Sequence, residues 1–153
     1  MGDSAGGGVA AGVAIAARDA RTAVAKQILI YPMLDDRTVE PDSEIEPFAT
    51  WTYDNNFTGW SALLGADRGS ENVSPLAAPS RLADFADLAP AFIDVGELDI
   101  LGDESILYAL NLARAGVSTE LYVRPGCPHG FDRIAAEVSV RAWADRYRAI
   151  QAV

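Results

Sequence analysis

The sequence predicts an α/β protein, a mostly parallel sheet flanked by helices, on two observations. Short β-branched or aromatic runs at Gln27 to Tyr31, Ala91 to Val95 and Thr119 to Val123 are each closed soon after by Pro or Gly, as strands often are. Between the last two runs lies a helical pattern from Asp103 to Ala115, and a strand, helix, strand succession implies a parallel crossover. The chain has 153 residues, half of them apolar, which suits one domain with one sizeable core.

Taken in order, the first helix is expected directly after Ser4, over Ala5 to about Ala17. Val9, Gly12, Val13 and Ala16 recur at helical spacing, and Gly6, Gly7, Gly8, Ala10 and Ala11 permit close approach to a neighbouring element, so the helix is expected to be buried. The connection from Tyr31 to Pro90 exceeds an ordinary crossover, with a polar stretch at Asp35 to Glu46 and then the aromatics Trp51, Tyr53, Phe57 and Trp60. A cap or lid insertion over about residues 35–65 is the economical explanation. In the helix from Asp103, the acids Asp103 and Glu104 suit the first turn, Ile106, Leu107 and Leu110 form the apolar face, and Gly116 is the stop. A last helix over about Ala135 to Ala152 is expected to pack Val140, Trp143, Ala144, Tyr147 and Ile150 on the sheet, with Arg141, Asp145, Arg146 and Arg148 facing away. No repeat, low-complexity tract or clean linker divides the chain.

Composition removes several classes of function. With 22 acidic against 12 basic side chains the net charge is −10, so nothing favours nucleic acid or an anionic membrane surface as partner. Cys127 is the single cysteine, which rules out an intrachain disulfide and a multi-cysteine zinc site and suits a reducing cytoplasm, the expected location. No run has the length of a membrane span, and no basic segment leads into an apolar one at the start. Met1-Gly2 has the form of a myristoylation start, but Gly6 stands where Ser or Thr is expected.

The chemistry is concentrated in three places. Gly2-Asp3-Ser4-Ala5-Gly6 has the Gly-x-Ser-x-Gly form, in which small neighbours allow a strained strand-to-helix turn that projects a serine hydroxyl. A serine needs a base to remove its proton, and the chain has one histidine, His129, in the loop between the third strand and the last helix. The base in turn needs a carboxylate. Asp99, just past the C-terminal end of the second strand, is favoured over Asp94, which lies within an apolar strand, and over Glu97 and Asp103, which stay in contention. The order Ser4, Asp99, His129 is that of α/β-hydrolases.

These segments, together with Asp99-Ile100-Leu101-Gly102-Asp103-Glu104, His129-Gly130-Phe131, Tyr31-Pro32 and Ser74-Pro75-Leu76, resemble the bacterial hormone-sensitive-lipase-like carboxylesterases over essentially the whole chain. Ile100 departs from the proline usual after the acid, a change expected to be tolerated. The resemblance implies an α/β-hydrolase fold and cofactor-free hydrolysis of short to medium acyl esters through an acyl-enzyme on Ser4. The Ala5 N–H is expected to supply one oxyanion donor. The family places several strands and a His-Gly-Gly-Gly oxyanion loop before the nucleophile, so the chain is expected to be the C-terminal half of the fold and weakly active or inactive alone. An uncovered helix face and an open sheet edge at Gln27 to Tyr31 would then favour self-association. The alternatives are a non-catalytic binding module on the same scaffold and a serine peptidase.

Trp51, Tyr53, Phe57 and Trp60 are candidates to line an acyl or alcohol pocket, against plain packing. Cys127 lacks a surrounding that would clearly lower its pKa and is not favoured as nucleophile. Gly6-Gly7-Gly8 lacks the Lys-Ser or Lys-Thr of a phosphate loop. Asp35, Asp36 and the acids of Asp42 to Glu46 read as a solvated lid surface, so no metal site is expected.

Overall fold

The structure is a computed structural model and describes residues 1–152. Its sheet has four parallel strands in the order β1 (Gly2–Asp3), β2 (Gln27–Ile30), β3 (Ala91–Gly96) and β4 (Thr119–Arg124). Helix α1 (Ala5–Asp19) follows β1, α2 (Tyr53–Leu64) lies in the long connection after β2, α3 (Gly102–Arg114) crosses from β3 to β4, and α4 (Glu137–Gln151) closes the chain. The α/β class and the parallel crossover follow the sequence reading.

The sheet has a packed core on each side. Leu29 and Ile93 meet Ala11 and Ile15 of α1 and Tyr108, Ala109 and Leu112 of α3, while Ile28, Ile30 and Phe92 meet Ala142 and Ala149 of α4. Alternate residues of one strand point to opposite faces, and strands covered on both faces become apolar throughout. A third cluster joins Met33, Tyr53 and Trp60 to Ile100 and Leu101, fixing the long connection to the loop after β3.

The helices differ from expectation in which side they bury. Val9 and Val13 of α1, Ile106, Leu107 and Leu110 of α3, and Val140, Trp143, Tyr147 and Ile150 of α4 are all exposed, and Arg146, expected outside, is only 2 % exposed. The buried stripes are instead Gly7, Gly8, Ala11, Gly12 and Ile15 in α1, Ser105, Tyr108, Ala109 and Leu112 in α3, and Ser139, Ala142, Arg146 and Ala149 in α4. Both stripes of each helix have helical spacing. In α1 the stripe with small residues lies inward because it lets the axis approach the sheet closely. A Cβ on Gly8 or Gly12 would overlap the carbonyl oxygens of Met33 and Leu76, and one on Gly7 would stand 2.7 Å from the Pro32 Cβ.

The expected open edge at Gln27 to Tyr31 is corrected in part. Gly2 and Asp3 pair with Leu29 and Ile30, because the two residues before Ser4 already run as a strand. Among the described residues the end strands are therefore β1 and β4. Asp36, read as part of a solvated surface, is fully buried, accepting from Arg81 Nε at 2.6 Å and from the Gly69 N–H at 2.6 Å.

Candidate active site

Ser4 sits between β1 and α1 with φ of 52°, a left-handed conformation that a serine adopts only under constraint. The constraint comes from both sides. Its N–H donates to the Ile30 carbonyl at 2.9 Å, and its own carbonyl accepts from the Gly7 and Met33 N–H groups at 2.9 and 3.0 Å. A Cβ on Gly2 would collide with the Gly6 carbonyl, so this turn requires glycine at position 2, whereas Gly6 has room for a side chain.

Asp99 follows β3 and is 1 % exposed, and its Oδ1 accepts from the Leu101 N–H at 3.0 Å. Ile100 is buried against the cluster of Met33, Tyr53 and Trp60, which anchors this loop without a proline. His129 lies in the loop after β4, next to the left-handed Gly130. Its Nδ1 is 2.7 Å from Asp99 Oδ2 and its Nε2 is 3.0 Å from Ser4 Oγ. A ring protonated on Nδ1 donates to the carboxylate and leaves Nε2 to accept from the serine hydroxyl. The three residues singled out in the sequence are thus brought together from 125 residues apart.

The other acids lie elsewhere. Asp94 is buried and bound to Arg124 Nε at 2.7 Å and Arg146 Nε at 2.8 Å, Glu97 accepts from the Gly126 N–H at 2.8 Å, and Asp103 is exposed in the first turn of α3. Cys127 is buried, and burial pushes its thiol pKa up, away from thiolate chemistry. Among the described residues no group of three His, Cys, Asp or Glu side chains is placed to hold a metal ion.

A cavity of about 450 Å³ opens beside Ser4 and His129, walled by Thr50, Trp51, Phe131, Arg133 and Ile134 among others. Of the four candidate aromatics, Trp51 borders it. Tyr53 and Trp60 are buried in the cluster below, and Phe57 lies under the Arg68 guanidinium, 4.0 Å from its ring centre. Ala5 opens α1, where backbone N–H groups have no partner within the helix.

Several contacts had no signal in the sequence. The Thr50 hydroxyl donates to the His129 carbonyl at 2.6 Å, tying the long connection to the histidine loop. The Tyr31 ring meets the imidazole edge-on at 4.6 Å, and its hydroxyl donates to Asp132 at 2.9 Å. Burial, followed by the neighbouring Asp132 charge, raises the Tyr31 pKa and keeps the phenol protonated.

Residues 1–133 match the family model described as alpha/beta hydrolase fold. The chain belongs to that family. Its resemblance to the hormone-sensitive-lipase-like carboxylesterases holds as well: it is 34% identical over 150 residues to carboxylesterase NlhH of Mycobacterium tuberculosis, covering 94% of this chain and 46% of that protein. Among solved structures, a bacterial heroin esterase superposes with a TM-score of 0.88 at 40% identity, over 97% of this chain and 49% of the other. A gibberellin receptor of Arabidopsis thaliana is 29% identical over 134 residues, covering 85% of this chain and 39% of the receptor. The chain spans about half the length of the relatives it matches. No helix among the described residues is long and apolar enough to cross a membrane.

Proposed function

We propose that the chain carries the reacting residues of a serine carboxylic-ester hydrolase acting on short to medium acyl esters. One observation carries the reading: Ser4 Oγ, both nitrogens of His129 and Asp99 form one continuous line of hydrogen bonds at 3.0 and 2.7 Å. Ser4 Oγ attacks the ester carbonyl as its proton passes to His129 Nε2, and Asp99 holds the ring in the required tautomer and stabilises the imidazolium. The Ala5 N–H faces the oxyanion. Collapse of the tetrahedral intermediate returns the proton to the departing alcohol and leaves an acyl-enzyme. Water, deprotonated by His129, attacks the acyl carbon, and the acid leaves as Ser4 is restored. Residues 35–65 act as a cap, with Trp51 as the aromatic wall of the acyl or alcohol pocket.

The likeness to a gibberellin receptor favours a second reading, a binding scaffold without turnover. One experiment separates the two. The native chain is treated with a fluorophosphonate and assayed with a short-chain p-nitrophenyl ester, with Ser4→Ala as control. Covalent label on Ser4, lost in Ser4→Ala and slowed at least about a hundredfold in His129→Ala, is expected. Label that persists in Ser4→Ala, or that forms as fast in His129→Ala as in the native chain, would overturn the esterase reading.

A further inference from the structure

One buried side chain ties the wall of the Ser4 cavity to the loops behind it and takes no part in the reacting line. Asn56, near the start of α2, is fully buried. Its side chain bonds at both ends: Oδ1 accepts from the Trp51 indole N–H at 3.2 Å, and Nδ2 donates to the Thr38 carbonyl at 2.7 Å. An indole N–H can only donate and a carbonyl can only accept, so one orientation of the amide serves both. A residue with only an acceptor or only a donor would leave one of the two unmatched.

Both partners of Asn56 lead back to the site. Trp51 is half-buried on the cavity wall, and its ring stands 6.3 Å from the His129 imidazole, tilted by 39°. Thr50, the residue before it, donates its hydroxyl to the His129 carbonyl at 2.6 Å. Thr38 donates its own hydroxyl to Glu104, five residues past Asp99. The Asn56 amide is thus the link between the segment that lies against the base and the helix that follows the acid. Packing covers only part of the Trp51 ring, and its single polar atom is spent on Asn56, so this bond sets how the indole meets the imidazole.

We propose that Asn56 is a positioning residue of this site: it holds the Trp51 indole against His129 and so keeps Nε2 in line with Ser4 Oγ. The role rests on the esterase reading above and deepens it. Asn56 touches no reacting atom. With Trp51 fixed, the imidazole has an aromatic wall at the cavity in addition to the Tyr31 ring, which it meets at 4.6 Å. A wall free to turn would let the imidazole swing towards the cavity, and a displacement of about 1 Å in such an arrangement costs up to about a hundredfold in rate.

His129 is the only histidine of the 153-residue chain, and its Nδ1 lies 2.7 Å from Asp99 Oδ2, so the proton between them is one identifiable downfield resonance in the proton NMR spectrum. Asn56→Leu, similar in volume and without polar atoms, should speed exchange of that proton with solvent by about tenfold, the loss of one hydrogen bond, and slow fluorophosphonate labelling of Ser4 by a similar factor. Asn56→Asp keeps the acceptor towards Trp51 and should stay close to the native chain. Trp51→Ala should give the faster exchange with Asn56 in place, and Asn56→Leu added to it should change nothing further, because the two act in series. A purely structural Asn56 would instead lower the melting temperature and leave the exchange as it is, or act with undiminished strength in the Trp51→Ala background. Either result would overturn the inference. Should Asn56→Leu lack a cooperative melt, Asn56→Ser, too short to reach the Trp51 indole, is read in its place under the same two criteria. Exchange of the Nδ1 proton is measured without label or turnover, so the result stands apart from the esterase proposal.

Discussion

Glu104 is the titratable side chain whose surroundings conflict most with its charge. It lies in the first turn of α3, five residues past Asp99, and is 4 % exposed. Its Oε1 accepts from the Leu34 N–H at 2.6 Å and its Oε2 meets the Thr38 hydroxyl, so it joins the loop after β2 to the helix behind the acid. No cation pairs with it among the described residues, and burial pushes its pKa from 4.5 up to about 8. The folded state thus holds a proton that the unfolded state releases above 4.5. Glu104 therefore stabilises the fold fully below that pH, and its contribution is lost as pH rises towards about 8. Thermal melts should show stability falling across this window, by at most roughly 1.4 kcal/mol per pH unit for one proton. Glu104→Gln, which keeps an acceptor for Leu34 and a donor for Thr38, should flatten the slope. An unchanged slope would assign it to another group.

At the scale of elements, α1 depends on absence of side chains. Gly8 and Gly12 face the carbonyls of Met33 and Leu76, so Gly8→Ala gains helix propensity of about 1 kcal/mol and still destabilises, by roughly 1 to 3 kcal/mol net, through overlap with rigid backbone. Urea denaturation reads the sign directly. Helix α4 is held differently. Arg146 joins it to β3 through Asp94 and to the loop after β4 through Asp132, while Arg124 joins Asp94 to Asp145 of α4. Removing one partner of such a group strands buried charge, so Arg146→Ala should cost about 3 to 5 kcal/mol by the same measurement. A loss below about 1 kcal/mol would mean that water reaches Asp94 in the variant. The sequence held one clue to this network: Asp94 in a strand otherwise apolar requires buried cations. Which arginines would supply them was not readable, because Arg146 shares a helix with two others, Arg141 and Arg148, both exposed.

At the scale of the molecule, apolar side chains lie bare on both sides of the sheet near β1. Val9, Val13, Trp143 and Tyr147 all stand at least 44 % exposed. The chain alone should bind a hydrophobic fluorescent dye in its native state, and Trp143→Asp with Tyr147→Asp should reduce that signal without lowering the melting temperature. An unchanged signal would place the dye elsewhere. The same exposure explains why helix polarity was misread. A helical stripe of large apolar residues ordinarily faces the core, but in α1 the glycine and alanine stripe packs on the sheet, and in α3 and α4 the inward stripes are built on Tyr108, Leu112 and Arg146 while other large apolar residues are left outward.

The sequence by itself determined the α/β class, the strands β2 to β4, the helix after Ser4, and the identity of Ser4, Asp99 and His129 as candidates. Strand patterns, a glycine-flanked serine and a solitary histidine are local signals, and composition left no competing base. Only the tertiary structure decided which helix faces are buried, that Asp36 and Arg146 lie inside, that Trp51 alone of four aromatics borders the Ser4 cavity, and that Thr50 and Glu104 brace the loops around it. Those outcomes depend on partners up to 79 residues away along the chain, and no periodicity in a short window carries that information.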